Sequence, residues 1–151
     1  VERMVVAPIG GKHAGWLTGH LSEVRPMPAL TPLPEPYPYL SGTAFLGGRV
    51  VTVLDTFPLL GEEAGGEPCR LLLRLAPPLD HLAFPIPSIL TVIDFQKLDL
   101  REEGAGGVWA GLYPFGGAWI HLVHPPAVSR ELALAMAYAI HPHPPGREDA
   151  S

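Results

Sequence analysis

The sequence predicts an all-β protein, two small barrels sharing a waist, with one C-terminal helix. Three observations predict it. The chain of 151 residues carries 17 glycines and 19 prolines, a density of turn formers that suits many short strands. Hydrophobic residues make up 47% of it, more than a chain too polar to offset its ordering entropy would hold. One hairpin pattern also occurs twice.

Met4 to Ile9 reads as a strand, Gly10-Gly11-Lys12 as a turn, and Ala14 to His20 as the return strand. Pro26 to Pro38 holds six prolines. Each lacks a backbone donor and fixes φ, so the segment is an extended connector. Leu40 to Phe45 and Arg49 to Leu54 form a hairpin ending at Asp55, and Thr56 to Leu60 a turn or short helix. Glu62 to Pro68 is a polar, Gly-rich loop. Leu71 to Leu75 and His81 to Phe84 are strands around Pro77-Pro78-Leu79-Asp80. Val108 to Phe115 and Ala118 to Val123 form the last hairpin. Ser129 to Ile140 is the one helical pattern: Ser129 caps it, and Leu132, Met136 and Ile140 give an apolar stripe. Pro142, Pro144 and Pro145 end it, and residues 141–151 read as a flexible tail.

The repeat aligns residues 42–55 with residues 111–124 at an offset of 69. Gly42, Gly47 and Gly48 match Gly111, Gly116 and Gly117. Leu46, Val51, Val53 and Leu54 match Phe115, Ile120, Leu122 and Val123. Phe45 against Pro114 is the loose fit. A weaker echo sets Leu21-Ser22-Glu23-Val24 against Pro87-Ser88-Ile89-Leu90. One hairpin cannot bury its apolar face alone, and closing strands into a barrel removes exposed edges. Residues 1–151 therefore read as a single domain of two similar barrel units.

Charge and motifs exclude several functions. The net charge is −5, the wrong sign for a nucleic-acid binder with a basic patch. Cys69 is the single cysteine and has no internal disulfide partner. The apolar run near Val1 is too short for a secretory leader, and none reaches the ~18–20 residues of a membrane helix. A cytoplasmic location is expected. His121 and His124 are three apart, so on a strand they face opposite sides and suit no metal. Gly10-Gly11-Lys12-His13 lacks the phosphate-loop pattern, and no serine has a nucleophile motif around it. Asp94 and Asp99 read as caps to the segment Ile93 to Glu103. No catalytic residue, cofactor, metal ligand or small-molecule substrate is assigned. Trp16, Trp109 and Trp119 are read as barrel filling, with exposed-aromatic peptide binding as the rival.

The stretch Thr31-Pro32-Leu33-Pro34-Glu35-Pro36-Tyr37-Pro38-Tyr39-Leu40-Ser41-Gly42, followed by Gly48-Arg49-Val50-Val51-Thr52-Val53-Leu54-Asp55, resembles the central signature of CheW-like proteins. That signature is a Pro-containing connector, a glycine two residues after an apolar one, an Asn-Leu-Arg-Gly turn, and an apolar strand ending in Asp. The resemblance runs from Met4 through the C-terminal helix, and its specific part is about 25 residues in the middle. It implies two small SH3-like five-stranded barrels packed together. It also implies a non-catalytic adaptor between a chemoreceptor-type protein and a histidine kinase regulatory domain, meeting the membrane only through receptors.

By the same resemblance, Leu21, Glu23 and Val24 match the family's Val-x-Glu-Val/Ile segment, which faces the receptor groove. The partner-binding turn Asn-Leu-Arg-Gly becomes Phe45-Leu46-Gly47-Gly48. Its Arg is replaced by Gly47, and Arg49 stands two positions on. A planar five-donor group has no substitute in glycine. A degenerate structural or peptide-binding module is the alternative reading.

Overall fold

In a computed structural model, which describes residues 1–140, the chain runs in order through ten strands and two α-helices. These are β1 (Arg3–Ile9), β2 (Lys12–Leu17), β3 (Leu21–Pro26), β4 (Leu40–Leu46), β5 (Arg49–Leu54), α1 (Thr56–Leu59), β6 (Leu71–Leu75), β7 (Leu82–Ile86), β8 (Thr91–Asp94), β9 (Trp109–Phe115), β10 (Ala118–Val123) and α2 (Pro125–Ile140). Barrel 1 is the five-stranded sheet β8-β1-β2-β10-β9, and barrel 2 is β3-β6-β7-β5-β4. The expected tail, residues 141–151, lies outside the described residues.

Strands at the waist are apolar on both faces because both faces are buried. In β1, Met4 and Val6 fill barrel 1 while Ala7 and Ile9 face the shared core. In β6, Leu72 fills barrel 2 while Leu73 and Leu75 face the shared core. Trp16 from β2 and Phe84 from β7 meet across the waist, edge to face, with ring centroids 5.3 Å apart. Both are fully buried. The two barrels thus share one large apolar cluster, to which α2 adds Val128 and Leu132.

The backbone shows why the hairpins repeat. Gly47 and Gly48 have φ of 56° and 77°, and Gly116 and Gly117 have 55° and 79°. Two consecutive positive φ values make the turn whose twist suits a hairpin. Gly42 and Gly111 answer a different need. A Cβ on Gly42 would lie 2.7 Å from the Thr31 carbonyl oxygen, and one on Gly111 only 2.2 Å from that of Arg101. There the incoming connector crosses the hairpin and pairs with it. Thr31 and Thr43 exchange both backbone hydrogen bonds, as do Arg101 and Leu112. The loose fit of Phe45 to Pro114 falls on the outer face, where both are exposed and no packing dictates identity.

Register extends the correspondence along the chain. Ala14 and Trp16 take the places of Leu82 and Phe84, and Met4 that of Leu72. The order β1-β2-β3-β4-β5-α1 therefore recurs as β6-β7-β8-β9-β10-α2. Each barrel nevertheless joins the leading hairpin of one repeat to the last three strands of the other. The two repeats are exchanged with each other.

Four expectations need correction. The return strand expected to run to His20 stops at Leu17, and Thr18–His20 is a 3-10 turn into β3. The helix starts at Pro125, so Ser129 lies inside it and does not cap it. Pro suits a first helical turn, where its missing N–H has no partner to lose. The echo of Leu21–Val24 is displaced by two residues. Val24 lies opposite Leu73 and Val92 opposite Val5, so β3 corresponds to β8. Asp94 is a strand residue opposite Arg3 rather than a cap.

Candidate partner-binding surfaces

The seven residues singled out in the sequence fall on two surfaces. Leu21, Glu23 and Val24 lie on β3, while Phe45, Leu46, Gly47 and Arg49 lie at the β4–β5 turn. Two strands, β6 and β7, separate the two sets in the sheet order.

The first surface is a groove of about 210 Å³ lined by Val5, Thr18, Leu21, Ser22, Glu23 and Val24. Val5 comes from barrel 1, so the groove lies where the edge strand of barrel 2 passes β1. A register shift at Ser22 sets Leu21 opposite Leu75 and Glu23 opposite Arg74. The Ser22 hydroxyl donates to the Leu75 carbonyl at 3.0 Å and fastens the irregularity. Such bulges re-aim side chains at a sheet edge. Leu21 packs toward the shared core, and Val24 is 44% exposed. The Glu23 carboxylate lies 3.8 Å from the Arg25 guanidinium, both partly exposed, a loose pair of small energetic weight.

Sequence reasoning missed the other bank. Val92 lies directly opposite Val5 in the β1–β8 ladder and is 45% exposed, and Leu90 is 54% exposed. Cross-strand partners share a face, so Val92 continues the apolar floor beyond Val5. The signal was present in Leu90-Thr91-Val92-Ile93, a β-branched run, once the echo is read two residues further on.

The second surface is the β4–β5 tip. Phe45 and Val50 are cross-strand partners, 72% and 62% exposed. The pair makes the tip a candidate contact surface. Leu46 points the other way into barrel 2 and is buried, so it anchors the tip and cannot itself touch a partner. Gly47 is exposed, with open space beside it. Arg49 donates to the Asp80 carboxylate at 2.9 Å, and the Asp80 carbonyl in turn accepts from Arg74. Arg49 is thus drawn to the β6–β7 turn rather than standing in for an arginine at Gly47. The matching tip of barrel 1 exposes Phe115 and Trp119, with the Arg101 guanidinium 5.3 Å from the Trp119 ring centre. Trp119 is therefore surface, where the sequence reading made it filling. Trp16 alone of the three tryptophans is fully buried.

A polar clasp ties the two barrels together away from both surfaces. The Gly11 N–H donates to Glu62 Oε1 at 2.6 Å, Lys12 Nζ lies 3.3 Å from Glu62 Oε2, and Lys12 also donates to the Leu60 carbonyl. The same ammonium stands 5.3 Å from the Trp109 ring centre. Burial, then the nearby Lys12 charge, lower the His121 pKa below its usual 6.5. The Gly11 N–H, then Lys12, lower the Glu62 pKa below 4.5. A carboxylate with a depressed pKa stabilises the fold above its ordinary value, and that stabilisation is lost as pH falls through the folded-state value. Glu62→Gln should therefore lower the urea midpoint near neutral pH. The gap from the parent should shrink below pH 4.5, and a gap unchanged at about pH 3 would remove Glu62 as its source.

Asp55 precedes α1 without a capping hydrogen bond, and burial raises its carboxyl pKa. Among the described residues, no three His, Cys, Asp or Glu side chains gather as a metal site. No described helix is long and apolar enough to cross a membrane.

The chain is similar in structure to the scaffolding protein TtCheW from Thermoanaerobacter tengcongensis. The TM-score is 0.71 over 81% of this chain and 88% of that one, at 16% identity. No family model matches the chain, and no curated protein matches its sequence. The fold is therefore the two-barrel CheW-like fold, reached by a divergent sequence.

Proposed function

We propose that this protein is a non-catalytic, cytoplasmic adaptor that couples a chemoreceptor-type protein to the regulatory domain of a histidine autokinase. The observation carrying this reading is the two-barrel fold shared with a scaffolding protein. The groove at Glu23 takes the receptor-type partner, offering apolar side chains beside one carboxylate. The Phe45–Val50 tip takes the kinase domain through apolar contact. Holding both raises the concentration of one partner beside the other, and chemistry stays with the partners.

Calorimetry with each isolated partner domain tests the assignment. Glu23→Arg should weaken the receptor-type partner at least about tenfold and spare the kinase domain, with Phe45→Ser doing the reverse. Retention of both partners by both variants would refute the two-surface reading. A second reading, a structural or peptide-binding module without kinase coupling, is favoured by Gly47 and by the engagement of Arg49 with Asp80. Loss of kinase binding in the parent protein, with receptor binding kept, would select it.

A further inference from the structure

The mouth of barrel 1 opens into a cavity of about 510 Å³ that shares no lining residue with the groove, although Leu17 and His20 here adjoin Thr18 and Leu21 there. Leu17, Phe95, Leu100, Leu122 and Val123 line its apolar interior. Phe95 and Leu122 belong to the barrel 1 core, and Val123 to the shared core. Strand alternation sends these consecutive residues toward different cores, and at the irregularity between them both reach the cavity.

Polar groups gather with this lining: His20, Lys97 and His124, with Glu2 the sole acid. The Glu2 carboxylate is folded toward the Thr18–His20 turn, with Oε2 2.9 Å from where a Gly19 Cβ would stand. Lys97 makes no ion pair among the described residues. Small-molecule sites are typically concave, mostly apolar spaces of roughly 300–1,000 Å³ with a few convergent polar groups.

We propose that this cavity binds a small amphipathic carboxylate. Its alkyl or aryl body, about eight carbons long, fills the apolar interior. Its carboxylate meets Lys97 and accepts hydrogen bonds from the histidines. An anion supplies an acceptor for the Lys97 ammonium and a partner for His20 Nδ1, which has none among the described residues, and an amine would meet Lys97 as a like charge. The site is independent of the adaptor reading, since it shares no residue with the groove or the tip.

The test is a titration of the full chain with octanoate, 1-octanol and octylammonium, followed by methyl NMR and calorimetry. Octanoate should bind saturably and shift the methyls of Leu17, Leu100 and Leu122 while leaving Leu46 and Leu72 of barrel 2 in place. Octanol should bind about tenfold more weakly, and Lys97→Glu should remove that advantage. Ala110→Trp, which places bulk in the lining, should abolish binding by both. Lys97 is a surface position, so the charge variant reports even if the tryptophan variant misfolds. No saturable binding, shifts spread over barrel 2, or octylammonium binding as tightly as octanoate would each overturn the proposal.

Discussion

Trp16→Ala should cost about 3–5 kcal/mol and unfold both barrels in one transition. The magnitude follows from truncating a fully buried aromatic, which removes transfer free energy and leaves a cavity. The cooperativity follows from position, because Trp16 is a barrel 1 residue packed on Phe84 of barrel 2. The shared cluster also takes side chains from α1, β5, β6 and α2. A barrel stripped of its neighbour would present most of that cluster to water. Trp16→Phe should cost much less, since the indole N–H has no hydrogen-bond partner and its loss forfeits no bond. Urea unfolding by far-UV circular dichroism and by tyrosine fluorescence should give one midpoint in each variant. Separate midpoints would show that the barrels are stable alone. A cost for Trp16→Ala below about 1.5 kcal/mol would show that the waist rearranges to fill the space.

Gly111→Ala should destabilise by about 3 kcal/mol or more, although it adds a single methyl. The backbone there has φ of 148°, a region closed to other L residues, and the new Cβ would lie 2.2 Å from the Arg101 carbonyl oxygen. That oxygen belongs to the backbone and accepts the Leu112 N–H bond, so it cannot swing aside like a side-chain tip. Gly42→Ala meets the Thr31 carbonyl at 2.7 Å without a positive φ and should cost less. Gly116→Ala, with open space around it, should cost about 1 kcal/mol, from the turn conformation alone. Thermal unfolding of the three variants ranks them. A Gly111→Ala protein as stable as Gly116→Ala would show that the connector is not held against the hairpin as described.

The repeated hairpin was legible because glycine leaves a mark when backbone geometry demands it. Gly42, Gly47 and Gly48 each answer a turn or a close approach, and the same demands recur at Gly111, Gly116 and Gly117. Apolar runs such as Leu71-Leu72-Leu73 marked strands, since waist strands are buried on both faces. The exchange of strands between repeats was not legible. It is decided by which hairpin docks on which triplet of strands, a long-range choice that leaves no local pattern. The short strand β8 escaped for a similar reason: four residues after a Pro-rich turn carry too little alternation. At the candidate surfaces, residue type marked Phe45, but it could not show that Leu46 beside it points inward. Nor could it show that Arg49 is held by Asp80, a residue 31 positions away.

The exchanged repeats also set the order in which the molecule can be made. Barrel 2 lacks no strand once Ile86 has been synthesised, because β3 through β7 are contiguous. The β1–β2 hairpin leaves the ribosome before every other strand of this fold, yet its barrel waits for β8, β9 and β10. At ~5–20 residues per second that delay lasts roughly 5–20 seconds. Through it Met4, Val6 and Trp16 have only part of their final cover. The 37 residues from Pro87 to Val123 therefore close the hairpin that was made before the rest of the fold. A nascent chain halted short of β10 is a completed barrel carrying an open apolar hairpin, the kind of surface that chaperones hold and that aggregates recruit.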